Sequence, residues 1–138
     1  MATKRTTPES DAAAARKQVL ATTNYNLSIQ TPFVVPVFDQ LQAGIASAME
    51  AQGFWTSANT GEKIALMHSE LSEMLEADRK NITTSEHIPE FTGIEEELAD
   101  LIIRALDFAG HHQLRLGEAI VAKMAFNLNR PFMHGKGY

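Results

Sequence analysis

Gly61–Lys80 reads GEKIALMHSELSEMLEADRK, and Gly93–Gly110 reads GIEEELADLIIRALDFAG. Apolar residues recur through both at steps of three and four, the period of an α-helix, and this pair decides an all-α fold class. In the first stretch Ile64, Met67, Leu71, Met74 and Leu75 form the expected core stripe, with Lys63, Ser72, Glu76 and Lys80 towards water. Leu66, Glu70, Glu73 and Ala77 make a second line, so two carboxylates sit between apolar neighbours. In the second stretch Leu98, Ala99, Leu101, Ile102, Ile103, Ala105, Leu106, Phe108 and Ala109 cover nearly the whole circumference. Its one polar line is Glu97, Asp100, Arg104 and Asp107. A helix apolar on almost every side is expected to be buried. Carboxylates buried without partners are costly, so these are expected to be metal-bound, paired or protonated.

Outward from this pair, Asn81–Thr92 is a polar loop containing Pro89, of a size that suits a lid or a specificity element. After a turn at Gly110–Arg115, a fourth helix is expected over Leu116–Asn129, stopped by Pro131. It presents Lys123, Asn127 and Arg130 along one side, and the tail that follows carries Lys136. Before the central pair, Asp39 is read as the cap of a first helix reaching about Gln52, ended by Gly53. Asn59 or Thr60 opens the next. Residues 1–36 are read as a flexible or extended arm: a polar start, a short Ala-rich helix over Ala12–Ala21, then an extended connector over Asn24–Pro36. Residues 37–138 then form the domain, a core of four antiparallel helices.

The chain has 138 residues, net charge −5 and no cysteine. That is one domain's length, with neither the basic patch a nucleic-acid polymer needs nor a disulfide framework or thiolate metal site. No run reaches the roughly 18 apolar residues of a membrane span. Lys4 and Arg5 are followed by Pro8, Glu9, Ser10 and Asp11 rather than by an apolar leader segment. A soluble, cytoplasmic protein is expected.

Glu70 with Glu73, and Glu97 with Asp100, each place two carboxylates three residues apart on one side of a helix. Facing one another, the two pairs would repel unless a cation sat between them. Carboxylate oxygens suit Mg²⁺, with Mn²⁺ as a substitute, and such ions bridge readily to phosphate. No His or Cys joins the acidic lines, which disfavours zinc; His68 is read as a packed or surface residue. Lys123, Asn127, Arg130 and Lys136 would supply donors to phosphate oxygens on the other side. The bland alternative is a solvated acidic face, with Arg104 neutralising Asp100 and Asp107 as a structural ion pair.

The ordered set SELSE (Ser69–Glu73), EELAD (Glu96–Asp100) and KMAFNLNRPFMHGK (Lys123–Lys136) resembles the MazG-like branch of the all-α nucleoside triphosphate pyrophosphatases. The resemblance covers about Asp39–Lys136. It implies a four-helix core, Mg²⁺ dependence, and a homodimer or homotetramer with sites at subunit interfaces. The implied reaction cleaves a (deoxy)nucleoside triphosphate between its α and β phosphates, and a purine deoxynucleotide such as dGTP is the expected substrate. On this resemblance Glu70, Glu73, Glu97 and Asp100 would hold the metal, with Glu70 or Glu73 also polarising the attacking water. Lys123, Asn127, Arg130 and Lys136 would hold phosphates or sugar, and Trp55 would line the base pocket. The first block departs from the family, having Ser69 before Glu70 where two adjacent glutamates are common, and this leaves the number of metals open. Two other classes compete with this reading. A ferritin-like di-iron bundle needs Glu-x-x-His steps, which are missing. A non-catalytic helical module that binds nucleotides or a partner would keep the acidic line as a salt-bridge network.

Overall fold

The computed structural model describes residues 8–57 and 59–131. Their order is α1 (Pro8–Ala51), α2 (Thr60–Lys80), α3 (Gly93–His111) and α4 (Leu116–Leu128). No strand occurs among the described residues, and no helix there is long and apolar enough to cross a membrane. The chain divides into two compact units, one of Phe38–Leu116 and one of Met1–Val37 with Gly117–Tyr138.

The helix ends follow local chemistry. Asn59 caps α2 by accepting the Glu62 N–H at 2.9 Å, and Asn81 ends it in the left-handed region at φ 51°. Thr92 and Glu95 form a capping box at the start of α3, each side chain taking the other's backbone N–H. Gln113, at φ 54°, turns the chain after α3, and the Leu114 N–H closes onto the Ala109 carbonyl at 2.8 Å.

Asn24–Pro36 is helical, not extended, and Asp39 lies inside α1 rather than capping a separate helix. The long-range period wins over the local proline rule. Leu20, Thr23, Leu27, Thr31, Val35, Phe38, Gln42, Ile45 and Met49 recur at steps of three and four, and all are less exposed than their neighbours. Pro32 and Pro36 each remove one ladder donor but leave the φ angle helical. Thr23 and Thr31 send their hydroxyls back to the Val19 and Leu27 carbonyls, a local use of side-chain donors that a helix tolerates.

Within the unit Phe38–Leu116, two glycines mark where helices approach most closely. A Cβ on Gly110 would come within 2.4 Å of Ala46 Cβ, and one on Gly93 within 2.9 Å of Ile82. Gln42 adds a tie from α1 by donating to the Leu114 carbonyl at 3.0 Å. The fully buried apolar residues among those described are Ala77, Leu106 and Ala109. The expected core stripe of α2 is open instead, with Ile64, Leu71 and Leu75 at 45%, 42% and 47% exposure. α2 turns Lys63, Glu70 and Ala77 inward, at steps of seven that keep one side of the helix. Lys63 is therefore buried, not solvated. On α3, likewise, Leu98 and Ile102 are exposed while Asp107 is buried. The inward sides of these two helices mix charged with apolar residues, while several large apolar residues lie outside.

Candidate metal centre

The middle of α2 and the first half of α3 bring their acidic lines together. Oxygen atoms from Glu70, Glu97 and Asp100 all lie within 4.8 Å of one another. That spread suits a divalent ion with oxygen ligands at about 2.0–2.6 Å. Glu70 is buried, Glu97 half-buried and Asp100 exposed, so the cluster has a protein floor and an open rim. Glu73 stands at its edge, exposed, and accepts the Ser69 hydroxyl at 2.8 Å.

The electrostatics are unbalanced. Loss of solvent raises the Glu97 pKa above the ordinary carboxylate range, and the charges of Glu73, Glu70, Glu96 and Asp100 raise it further. Among the described residues Arg104 is the cation bonded within the group, and its Nε donates to Glu70 Oε1 at 2.5 Å. Arg104, which the salt-bridge alternative would set against Asp100 and Asp107, pairs instead with the carboxylate of the facing helix. One guanidinium against four carboxylates leaves a net deficit of positive charge.

Asp107 belongs to a separate cluster. Lys63 Nζ lies 3.3 Å from its Oδ2, and the pair is buried. Trp55 Nε1 donates to Oδ1 at 2.8 Å. The indole stacks on His111 with 3.6 Å between centroids and 2° between planes, and Lys63 Nζ lies 4.3 Å from its centroid. Trp55, read from the resemblance as a base-pocket residue, has its ring engaged by an imidazole and an ammonium. Sequence reasoning missed this cluster, although Asp107 shares the polar line of Glu97 and Lys63 precedes Glu70 by seven residues, both visible signals.

The loop between α2 and α3 is pinned beside the carboxylates. The buried Ser85 hydroxyl donates to Glu96 Oε2 at 2.5 Å and accepts the His87 and Ile88 N–H groups. His87 Nδ1 lies 2.5 Å from Glu96 Oε1. This contact raises the His87 pKa, while the Ser85 and His87 hydrogen bonds lower that of Glu96. Two hollows flank the metal-ligand candidates. One of about 380 Å³ is lined by Glu73, Glu97, Lys80, Thr84 and His87. The other, about 190 Å³, is lined by Asp100, Arg104, Lys63, Phe54 and Met49.

Lys123, Asn127 and Arg130 are in the other compact unit. Lys123 Nζ lies 4.8 Å from the Phe126 ring centroid, and the buried Asn127 Oδ1 has no hydrogen-bond partner. Arg130 lines a groove of about 540 Å³ with Arg16, Lys17, Asn24 and Asn129. Lys136 lies outside the described residues. No family model, curated protein or solved structure matches the chain.

Proposed function

We propose that this protein is a Mg²⁺-dependent nucleoside triphosphate pyrophosphohydrolase. The observation that carries the reading is the convergence of Glu70, Glu97 and Asp100 oxygens within 4.8 Å, with too little positive charge around them. The resemblance of the three sequence blocks to the MazG-like pyrophosphatases supplies the reaction class.

In this reading Glu70, Glu97 and Asp100 hold the cation, with Glu73 completing the set from the rim. Mg²⁺, when bound, neutralises charge on the phosphates and makes a coordinated water more acidic. Arg104 fixes Glu70 through Oε1, which leaves Oε2 for other partners. Glu70 or Glu73 accepts the proton of the attacking water. Water oxygen bonds to the α phosphorus, the bond from that phosphorus to the bridging oxygen breaks, and pyrophosphate leaves with the electron pair. The products are the nucleoside monophosphate and pyrophosphate. Lys123, Asn127, Arg130 and Lys136 are proposed to hold phosphate or sugar oxygens, and a purine deoxynucleotide such as dGTP is the first substrate to try. The active form is proposed to be a homodimer or homotetramer, consistent with the apolar outer sides of α2 and α3.

The Arg104–Glu70 and Lys63–Asp107 pairs favour a second reading, a non-catalytic helical module with an internal ion-pair network. Glu97 distinguishes the two, because no cation of the protein pairs with it among the contacts described and its pKa is raised rather than lowered. Incubation with each common nucleoside and deoxynucleoside triphosphate plus Mg²⁺, with Glu97→Gln beside the wild type, tests the proposal. Monophosphate and pyrophosphate from the wild type only are expected. Diphosphate with free phosphate would refute the bond assignment, and no turnover with Mg²⁺ or Mn²⁺ would favour the binding module.

A further inference from the structure

α1 carries no charged residue from position 18 to position 38, between Lys17 and Asp39. One side of this stretch is the half-buried line through Leu20, Leu27 and Val35. The other side carries no charge. Tyr25, Ile29, Phe33 and Val37 follow one another at steps of four, all exposed, with Phe33 at 74% and Tyr25 at 65%. Thr22, Asn26 and Pro36, uncharged and exposed, lie between them on the same side. Scattered apolar side chains on a surface need no account, whereas a contiguous ridge with no charge in it marks an interaction surface. Interface centres are depleted in charge and enriched in aromatic residues. The helix also carries Pro32 and Pro36 in its interior, at a cost of about 3 kcal/mol each. Packing, rather than local propensity, has to hold this stretch helical.

We infer that this ridge is a homotypic interface, on which a second copy of this chain lays the same stretch of its own α1 across a two-fold axis. A two-fold axis sets one patch against itself. Ridges of i, i+4 spacing interdigitate with identical ridges at a crossing of about 50°. With the axis near Thr31, Ile29 of each copy faces Phe33 of the other, and Tyr25 faces Val37. Two copies meet there without like-charge repulsion, because the stretch has no charge to repel. A basic or acidic partner, or an anionic membrane surface, would find no complementary charge within it. The four ridge side chains expose roughly 470 Å² per chain, and with the exposed Thr22, Asn26 and Pro36 between them a symmetric pair reaches about the ~1,000 Å² expected of a specific interface. The inference does not depend on the metal site or on the proposed reaction.

Sedimentation equilibrium of the full chain at tens of micromolar tests it, with Phe33→Glu and Ile29→Lys, two positions that face each other across the axis, as separate variants. The wild type is expected at twice the chain mass or a multiple of that. Each variant alone is expected at half the wild-type mass, still folded by circular dichroism and losing at most part of the helicity of α1, and an equimolar mixture of the two is expected to regain the wild-type mass. The chain has no cysteine, so Ile29→Cys with a short bis-maleimide gives a second readout that needs no charge in the interface: a covalent dimer is expected at high yield. A monomeric wild type, an unchanged mass in both charged variants, or no covalent dimer from Ile29→Cys overturns the inference.

Discussion

Two polar clusters occupy the same pair of helices and differ in charge balance. In one, Lys63 of α2 meets Asp107 of α3, and the Trp55 indole takes the second carboxylate oxygen. The cation and anion cancel, and aromatic rings close over them. In the other, Glu70, Glu73, Glu97 and Asp100 share a single guanidinium, which is already bonded to Glu70. Both clusters use facing positions on the same amphipathic lines, so helix geometry does not separate structure from chemistry here. Charge count does. The closed cluster has its charges matched, whereas the open one carries an excess of negative charge.

The comparison breaks most sharply at Lys63. Lys63→Met leaves Asp107 buried without its countercharge and is expected to lower stability by about 3–5 kcal/mol in thermal or denaturant unfolding. Lys63→Met combined with Asp107→Asn is expected to recover most of that loss, since the amide still accepts from Trp55. Removing a charge from the open cluster should act differently. Wild-type protein at a Mg²⁺ concentration 100 times its Kd is expected to gain about 2.7 kcal/mol, and Glu97→Gln is expected to abolish this gain. Without metal the same substitution is expected to raise stability by at most about 1 kcal/mol, because screening weakens repulsion at a half-exposed site.

The smallest effects concern pH. The folded pKa of Glu97 is raised, so the folded protein holds that proton more tightly than the unfolded chain. Metal-free stability should therefore rise as pH falls through the raised value towards the ordinary 4.5. The folded pKa of His87 is also raised, chiefly by its hydrogen bond to Glu96. Its contribution is full below the ordinary 6.5 and is lost as pH rises through the folded value. Unfolding measured from pH 5 to pH 8 should show stability falling with pH. His87→Gln is expected to flatten the upper part of that profile and saturating Mg²⁺ the lower part.

Much of this arrangement could be read from the residues. Asn59 announces its helix because caps are local, and the acidic lines are visible because helical period places Glu70 with Glu73 and Glu97 with Asp100. Three features were not legible. The continuity of α1 through Pro32 and Pro36 is hidden because proline penalties are local while the stripe from Leu20 to Met49 spans many turns. The burial of Lys63 is hidden because reading amphipathicity assumes that Ile64, Leu71 and Leu75 face the chain's own core, whereas these lie outside. The partner of Arg104 is hidden because it depends on how α2 slides against α3, and both Asp100 and Asp107 lie within its reach in sequence.

The most direct test of the open cluster is titration of the metal-free protein with Mn²⁺, followed calorimetrically, for the wild type, Glu97→Gln and the exposed control Glu62→Gln. Saturable binding by the wild type and Glu62→Gln, lost in Glu97→Gln, is the expected result. No binding by the wild type, or equal binding by all three proteins, would contradict the assignment of these carboxylates as a cation site.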